Sequence, residues 1–101
     1  MRGVDIKWIG GNCPVQAEGS IDGRPFYFRA RGIRWSISIG EGSLARRGDD
    51  RNVWFYEETY GTSPYGAGYM DIDVATDLIH DAALLYRLSL KEKYEKILQH
   101  F

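Results

Sequence analysis

The side chains best suited to binding chemistry are concentrated between residues 24 and 34. Arg24, Tyr27, Arg29, Arg31 and Arg34 fall within eleven residues that hold no aspartate or glutamate. Strand alternation along Pro25–Arg31 sends Tyr27, Arg29 and Arg31 to the face opposite Phe26, Phe28 and Ala30. Guanidinium groups pair phosphates or carboxylates, and aromatic rings stack on bases or fill interface pockets. The combination is therefore expected to serve either single-stranded nucleic acid or a protein partner. Trp54 and Tyr56 are expected to join this face from the last strand. The plain alternative is a solvated sheet face in which Arg29 or Arg31 pairs with Glu18 on the neighbouring strand.

A second set is acidic and tyrosine-rich. Glu57, Glu58 and Tyr60 precede the breaker-rich run Gly61–Gly68, and Tyr65 and Tyr69 follow within and after it. Tyrosines offer large contact area at low entropic cost, so this segment reads as a recognition loop for a basic partner, or as a connector covering the sheet edge. The charge is polarised accordingly. Residues 1–51 carry nine basic and six acidic side chains, or +3, and residues 52–101 carry four and eight, or −4. The two halves are candidates to pair with each other or, in a homodimer, with a second copy.

Catalytic and metal chemistry find weaker support. Asp73, Asp77, His80 and Asp81 share much of one helix face, but metal sites draw ligands from several elements, and acids on a first turn serve the helix dipole. Asp77, His80 and Asp81 supply acid–base groups only to a small enzyme completed across a homodimer. Asn12-Cys13-Pro14 matches no nucleophile signature, and a lone cysteine at a strand start reads as a small buried hydrophobe. Gly40–Ala45 fits G-x-G-x-x-A, but a charged loop follows it rather than the helix that dinucleotide binding requires. Arg47-Gly48-Asp49 reads as chance. No cofactor, no metal and no catalytic residue is assigned, and the chain is read as a non-enzyme.

These side chains need elements to carry them. Val4–Ile9 alternates with Val4, Ile6 and Trp8 on one face, and Val15–Ile21 with Val15, Ala17 and Ile21. Asp22-Gly23 suits a type I′ turn, and Pro25 fits the start of the returning strand. After Gly32 the apolar phase flips to Ile33, Trp35, Ile37 and Ile39, which marks a bulge or, preferably, a second hairpin. Val53–Tyr60 is aromatic on both faces. From residue 71 the period becomes helical: Ala75, Leu78, Ile79, Ala82, Leu85 and Tyr86 form one stripe, with Asp71 and Asp73 at its start. Ser89-Leu90-Lys91-Glu92 has capping-box spacing, which places a second helix with stripe Leu90, Tyr94, Ile97, Leu98 and Phe101. The expected fold is a single α+β domain: a four- to five-stranded, mostly antiparallel meander over residues 1–60, a Gly/Tyr loop over 61–70, and two helices over 71–101 packed on one face.

Composition narrows the classes. At 101 residues and 44% hydrophobic the chain supports one core and is not disordered, and its formal net charge of −1 excludes a strongly basic nucleic-acid binder. It holds no apolar run long enough to span a bilayer, and Met1–Asp5 lacks a secretory h-region. A single cysteine suits a reducing compartment. The reading is a cytoplasmic protein with no membrane role.

Asn12-Cys13-Pro14-Val15-Gln16-Ala17-Glu18-Gly19, Asp22 to Gly32, and Arg34-Trp35-Ser36 resemble a pattern in small uncharacterised phage and prophage proteins. The resemblance covers about the first third of the chain and carries no residue roles. It implies a small protein that binds and blocks a bacterial host protein or protein–RNA complex, such as a CRISPR–Cas assembly. The expectation is a non-enzymatic modulator acting by occlusion, with a single-stranded nucleic-acid module on the Arg/aromatic face as the alternative.

Overall fold

In a computed structural model, which describes residues 2–41 and 53–99, strict alternation in the middle strands organises the fold. The strands are β1 (Val4–Gly10), β2 (Val15–Ile21), β3 (Arg24–Arg31), β4 (Arg34–Ile39) and β5 (Trp54–Thr59). They pair antiparallel in the order β1-β2-β3-β4-β5, a five-stranded meander. The Gly40–Ala45 pattern lies outside the described residues from 42 onward, as does Arg47-Gly48-Asp49.

The two central hairpins are tight. Asp22 and Gly23 both have positive φ, at 52° and 81°, as a type I′ turn demands, and Ile21 pairs with Arg24. Gly32-Ile33 forms the second turn, with Gly32 at φ 63° and Arg31 opposite Arg34. That two-residue turn explains the phase flip. Phe26, Phe28 and Ala30 face the same side as their partners Ile39, Ile37 and Trp35, and all six are buried. Pro25 sits one position inside β3 rather than at its start.

β1 departs from simple alternation. Ile6 pairs with Gly19 but Trp8 pairs with Glu18, so Lys7 is an extra residue and the strand bulges. Beyond the bulge Ile9 takes the core position opposite Ala17. Trp8 turns to the other face, 51% exposed, where the sequence pattern put it in the core.

One helix, not two, follows the sheet. After a short 3-10 turn at Ala67–Tyr69, α1 runs unbroken from Ile72 to Leu98. Asp71 is its N-cap residue and Asp73 lies in its first turn. Ser89 does not start a helix, because no glycine or proline interrupts residues 71–98. Its hydroxyl instead donates to the Tyr86 carbonyl at 2.8 Å, one turn back inside the same helix. Ala75, Ile79, Ala82, Ala83 and Tyr86 are the buried helix residues. Leu85, expected in the stripe, is exposed, and Ala83 takes the core position instead. The alanines let α1 approach β1 and β2 closely.

Past Tyr86 the expected second stripe stays in the open: Leu90, Tyr94, Ile97 and Leu98 are all exposed, and Phe101 lies outside the described residues. A helix of 27 residues is about 40 Å long, whereas strands of six to eight residues reach roughly 20–27 Å. The last turns therefore overhang the sheet. Arg87 is the tie at that point. Its Nε and Nη2 donate to the two Asp22 carboxylate oxygens, each at 2.8 Å, and Nη2 also donates to the Arg2 carbonyl. No helix among the described residues is long and apolar enough to cross a membrane.

Candidate functional site

The register sorts the candidate residues by face. On β3, alternate residues from Phe26 to Ala30 are buried beneath α1 and the 3-10 turn, so Tyr27, Arg29 and Arg31 share the opposite, open face. On β4 that face carries Arg34, Ser36 and Ser38, the last of them buried, and on β5 Phe55, Glu57 and Thr59. Arg34 thus joins Arg29 and Arg31 as expected. Arg24 does not. It pairs with buried Ile21 and belongs to the helix-covered side.

Trp54 and Tyr56 also lie on the covered side, which corrects their expected place on the arginine face. They stand opposite Ile39 and Ile37. An aromatic ladder holds them there: Trp35 packs on Phe28 and on Tyr56, Tyr56 stacks on Trp54 at 5.9 Å and 7°, and Trp54 meets Tyr86 of α1 edge-on.

Two other aromatics occupy the open face. Pairing places Trp8, Glu18, Tyr27, Ser38 and Phe55 in one cross-strand row, one residue from each strand. The neighbouring row holds Gly10, Gln16, Arg29, Ser36 and Glu57, and the next Arg31, Arg34 and Thr59. The Trp8 ring lies over Gly10, where an added Cβ would come within 3.5 Å of it. Phe55 was legible as an aromatic but not as to face, and Trp8 would have required recognising the bulge at Lys7.

Tyr27 donates its hydroxyl to Gln16 Oε1 at 2.8 Å, which orients the ring. Arg34 Nη1 donates to Glu57 Oε1 at a long 3.4 Å. Glu18 stands opposite Tyr27, and among the described residues no ion pair joins it to Arg29 or Arg31. Arg31 and Arg34 face each other directly, a like-charge cross-strand pair.

The acidic, tyrosine-rich set does not form one surface. Glu57 belongs to the open face beside Arg34, whereas Glu58 stands opposite Trp35 on the covered side and accepts from the Tyr56 hydroxyl. Tyr60 packs against the core, and its N–H donates to the Ile33 carbonyl. Tyr65 and Tyr69 alone project, each 63% exposed. The loop beneath them is docked. Ala67 N–H donates to the Gly32 carbonyl, Cys13 N–H donates to the Gly68 carbonyl, and Ala67, Gly68 and Met70 are buried. Gly68 packs tightly on Cys13, since a Cβ there would lie 3.0 Å from Cys13 Cα and 3.1 Å from its Sγ. Cys13 itself is exposed, contrary to its reading as a buried hydrophobe.

Asp73, Asp77 and Asp81 are exposed on α1. Among the described residues no group of three or more His, Cys, Asp and Glu side chains is placed to hold a metal ion. No protein-family model, no curated protein and no solved structure matches this chain.

Proposed function

We propose that this chain is a non-enzymatic binding protein that occludes a surface of a host protein or ribonucleoprotein complex through the open face of its sheet. The observation that carries the reading is the row Trp8, Tyr27 and Phe55 flanked by Arg29, Arg31 and Arg34 on a face that α1 leaves bare. Tryptophan, tyrosine and arginine are the residue types that dominate interface energetics. Glu18 lies inside the aromatic row, and Glu57 beside Arg34. Two carboxylates within the platform repel a phosphate backbone and favour a protein surface of mixed charge. The resemblance of residues 12–19, 22–32 and 34–36 to small phage and prophage proteins supports an interaction protein acting in a bacterial host.

The second reading, single-stranded nucleic acid on the same face, is favoured by the three aromatic rings in one row, since bases stack on such rings. One experiment separates the two. Tagged protein is used to capture partners from bacterial lysate, with and without nuclease, alongside Arg29→Ala/Arg31→Ala and Tyr65→Ala. The expected result is one defined protein or complex retained in both halves, lost with the double arginine variant and kept with Tyr65→Ala. Capture that vanishes with nuclease selects nucleic acid, and binding should then lose salt dependence by about 0.7 in slope per phosphate contact removed. Capture unaffected by the arginine variant overturns both readings of this face.

A further inference from the structure

The overhang of α1 creates a second site on the opposite side of the sheet. Beyond the Asp22–Arg87 tie, a groove of about 510 Å³ opens between the helix and the ends of β4 and β5. Ile39 and Trp54 form its floor, and Tyr86, Leu90, Tyr94 and Ile97 its helical wall. The volume falls in the range of roughly 300–1,000 Å³ typical of small-ligand sites. Among the described residues the charge in this lining is of one sign: Arg24 and Lys93 contribute, and no aspartate or glutamate does. Neither cation has an ion-pair partner among the described residues. Arg24 is the one member of the arginine cluster that the register carries to this side of the sheet.

We infer that this groove binds a small anionic amphiphile, an apolar chain or ring bearing one carboxylate or sulfonate. The apolar body would lie on Trp54, Leu90 and Ile97, and the anion would sit between Arg24 and Lys93. Charge complementarity favours this occupant over a second copy of the chain, because a two-fold contact on the groove brings its own Arg24 and Lys93 side chains toward their equivalents. The groove is separate from the open face, so the inference stands whether or not that face binds the proposed partner.

The test is a titration of the full chain with decanoate and, in parallel, decan-1-ol, followed by amide and indole N–H chemical shifts. Decanoate should give saturable shifts at the Trp54 indole, Leu90 and Ile97, and decanol should bind about tenfold more weakly. Arg24→Ala/Lys93→Ala should bring decanoate down to the level of decanol. Both side chains are exposed, so the melting temperature should hold. Leu90→Glu, on the overhanging part of the helix, should abolish decanoate binding by placing an anion in the groove. Equal binding of the alcohol, full affinity in the double arginine–lysine variant, or shifts centred on the exposed Leu84 and Leu88 instead would each overturn the inference. So would groove shifts that move with protein concentration alone, which would seat a second copy there.

Discussion

The two faces of this sheet are built from the same strands and have opposite contents. On the covered face, Val15, Ala17, Ile21, Phe26, Phe28, Ile37 and Ile39 are sealed beneath α1 and the 3-10 turn. One residue along, the open face carries Trp8, Tyr27, Phe55 and three arginines, with Tyr27 hydrogen-bonded to Gln16 and Arg34 to Glu57. Packing explains nearly every residue of the first face. It explains fewer of the second, where Trp8 stands half exposed and an unfavourable arginine pair persists. Residues that the fold does not need are the ones to test for binding.

Substitution of neighbours on β3 should expose this contrast most strongly. Phe28→Ala removes a fully buried ring that packs on Trp35, and should cost about 3–5 kcal/mol, a large share of the stability of a domain this size. Tyr27→Ala, next along the strand, loses a partly exposed ring and one hydrogen bond, and should cost about 1 kcal/mol. Denaturant melts of the two variants measure the difference. Comparable losses would mean that the open face is covered and structural after all.

How much of this could be read beforehand depended on how each strand kept its phase. β2, β3 and β4 alternate cleanly and are joined by two-residue turns, so their faces and the meander were legible residue by residue. β5 was not, because Trp54, Phe55 and Tyr56 are consecutive aromatics and the segment after Gly40 carries no phase information across from β4. Only pairing with Ile39 and Ile37 assigns Trp54 and Tyr56 to the covered side. Trp8 failed for a different reason: a bulge adds a residue, and nothing in V-D-I-K-W-I announces it. In α1 the capping-box spacing at Ser89 was a true local signal, overridden by helix continuity from both sides. The stripe beyond it was apolar as expected but had no sheet left to cover.

The tie between α1 and the covered face makes a smaller, pH-dependent prediction. The Arg87 guanidinium hydrogen-bonds the Asp22 carboxylate and holds its pKa below the ordinary aspartate range. A carboxyl depressed in the folded state adds stability above its unfolded value, about 3.9, and that contribution is lost as pH falls through the folded value. Both groups are partly exposed, so the effect should be about 1 kcal/mol. Asn tolerates the positive φ at residue 22, so Asp22→Asn isolates the charge from the turn. The variant should be less stable than the parent at pH 7, with the gap closing below about pH 4. A gap that persists at low pH would assign the contribution to the turn rather than to the ion pair.

The smallest expected effect bears most directly on the open face. Arg31 and Arg34 stand opposite each other beside the Gly32-Ile33 turn, and like charges in that arrangement are destabilising. Arg34 has partial relief from Glu57 at 3.4 Å, whereas Arg31 has no ion pair among the described residues. Arg31→Glu converts the repulsive pair into an attractive one and should raise stability by about 0.2–1 kcal/mol. For a domain of this size that is a rise of a few degrees, at about 4–8 °C per kcal/mol. The same substitution should weaken partner capture, because it reverses charge in the middle of the platform. Stability gained and binding lost in one variant would identify Arg31 as a residue held for recognition at the expense of the fold. A variant that melts lower would show instead that Arg31 supports the hairpin, and the open face would lose its strongest sign of function.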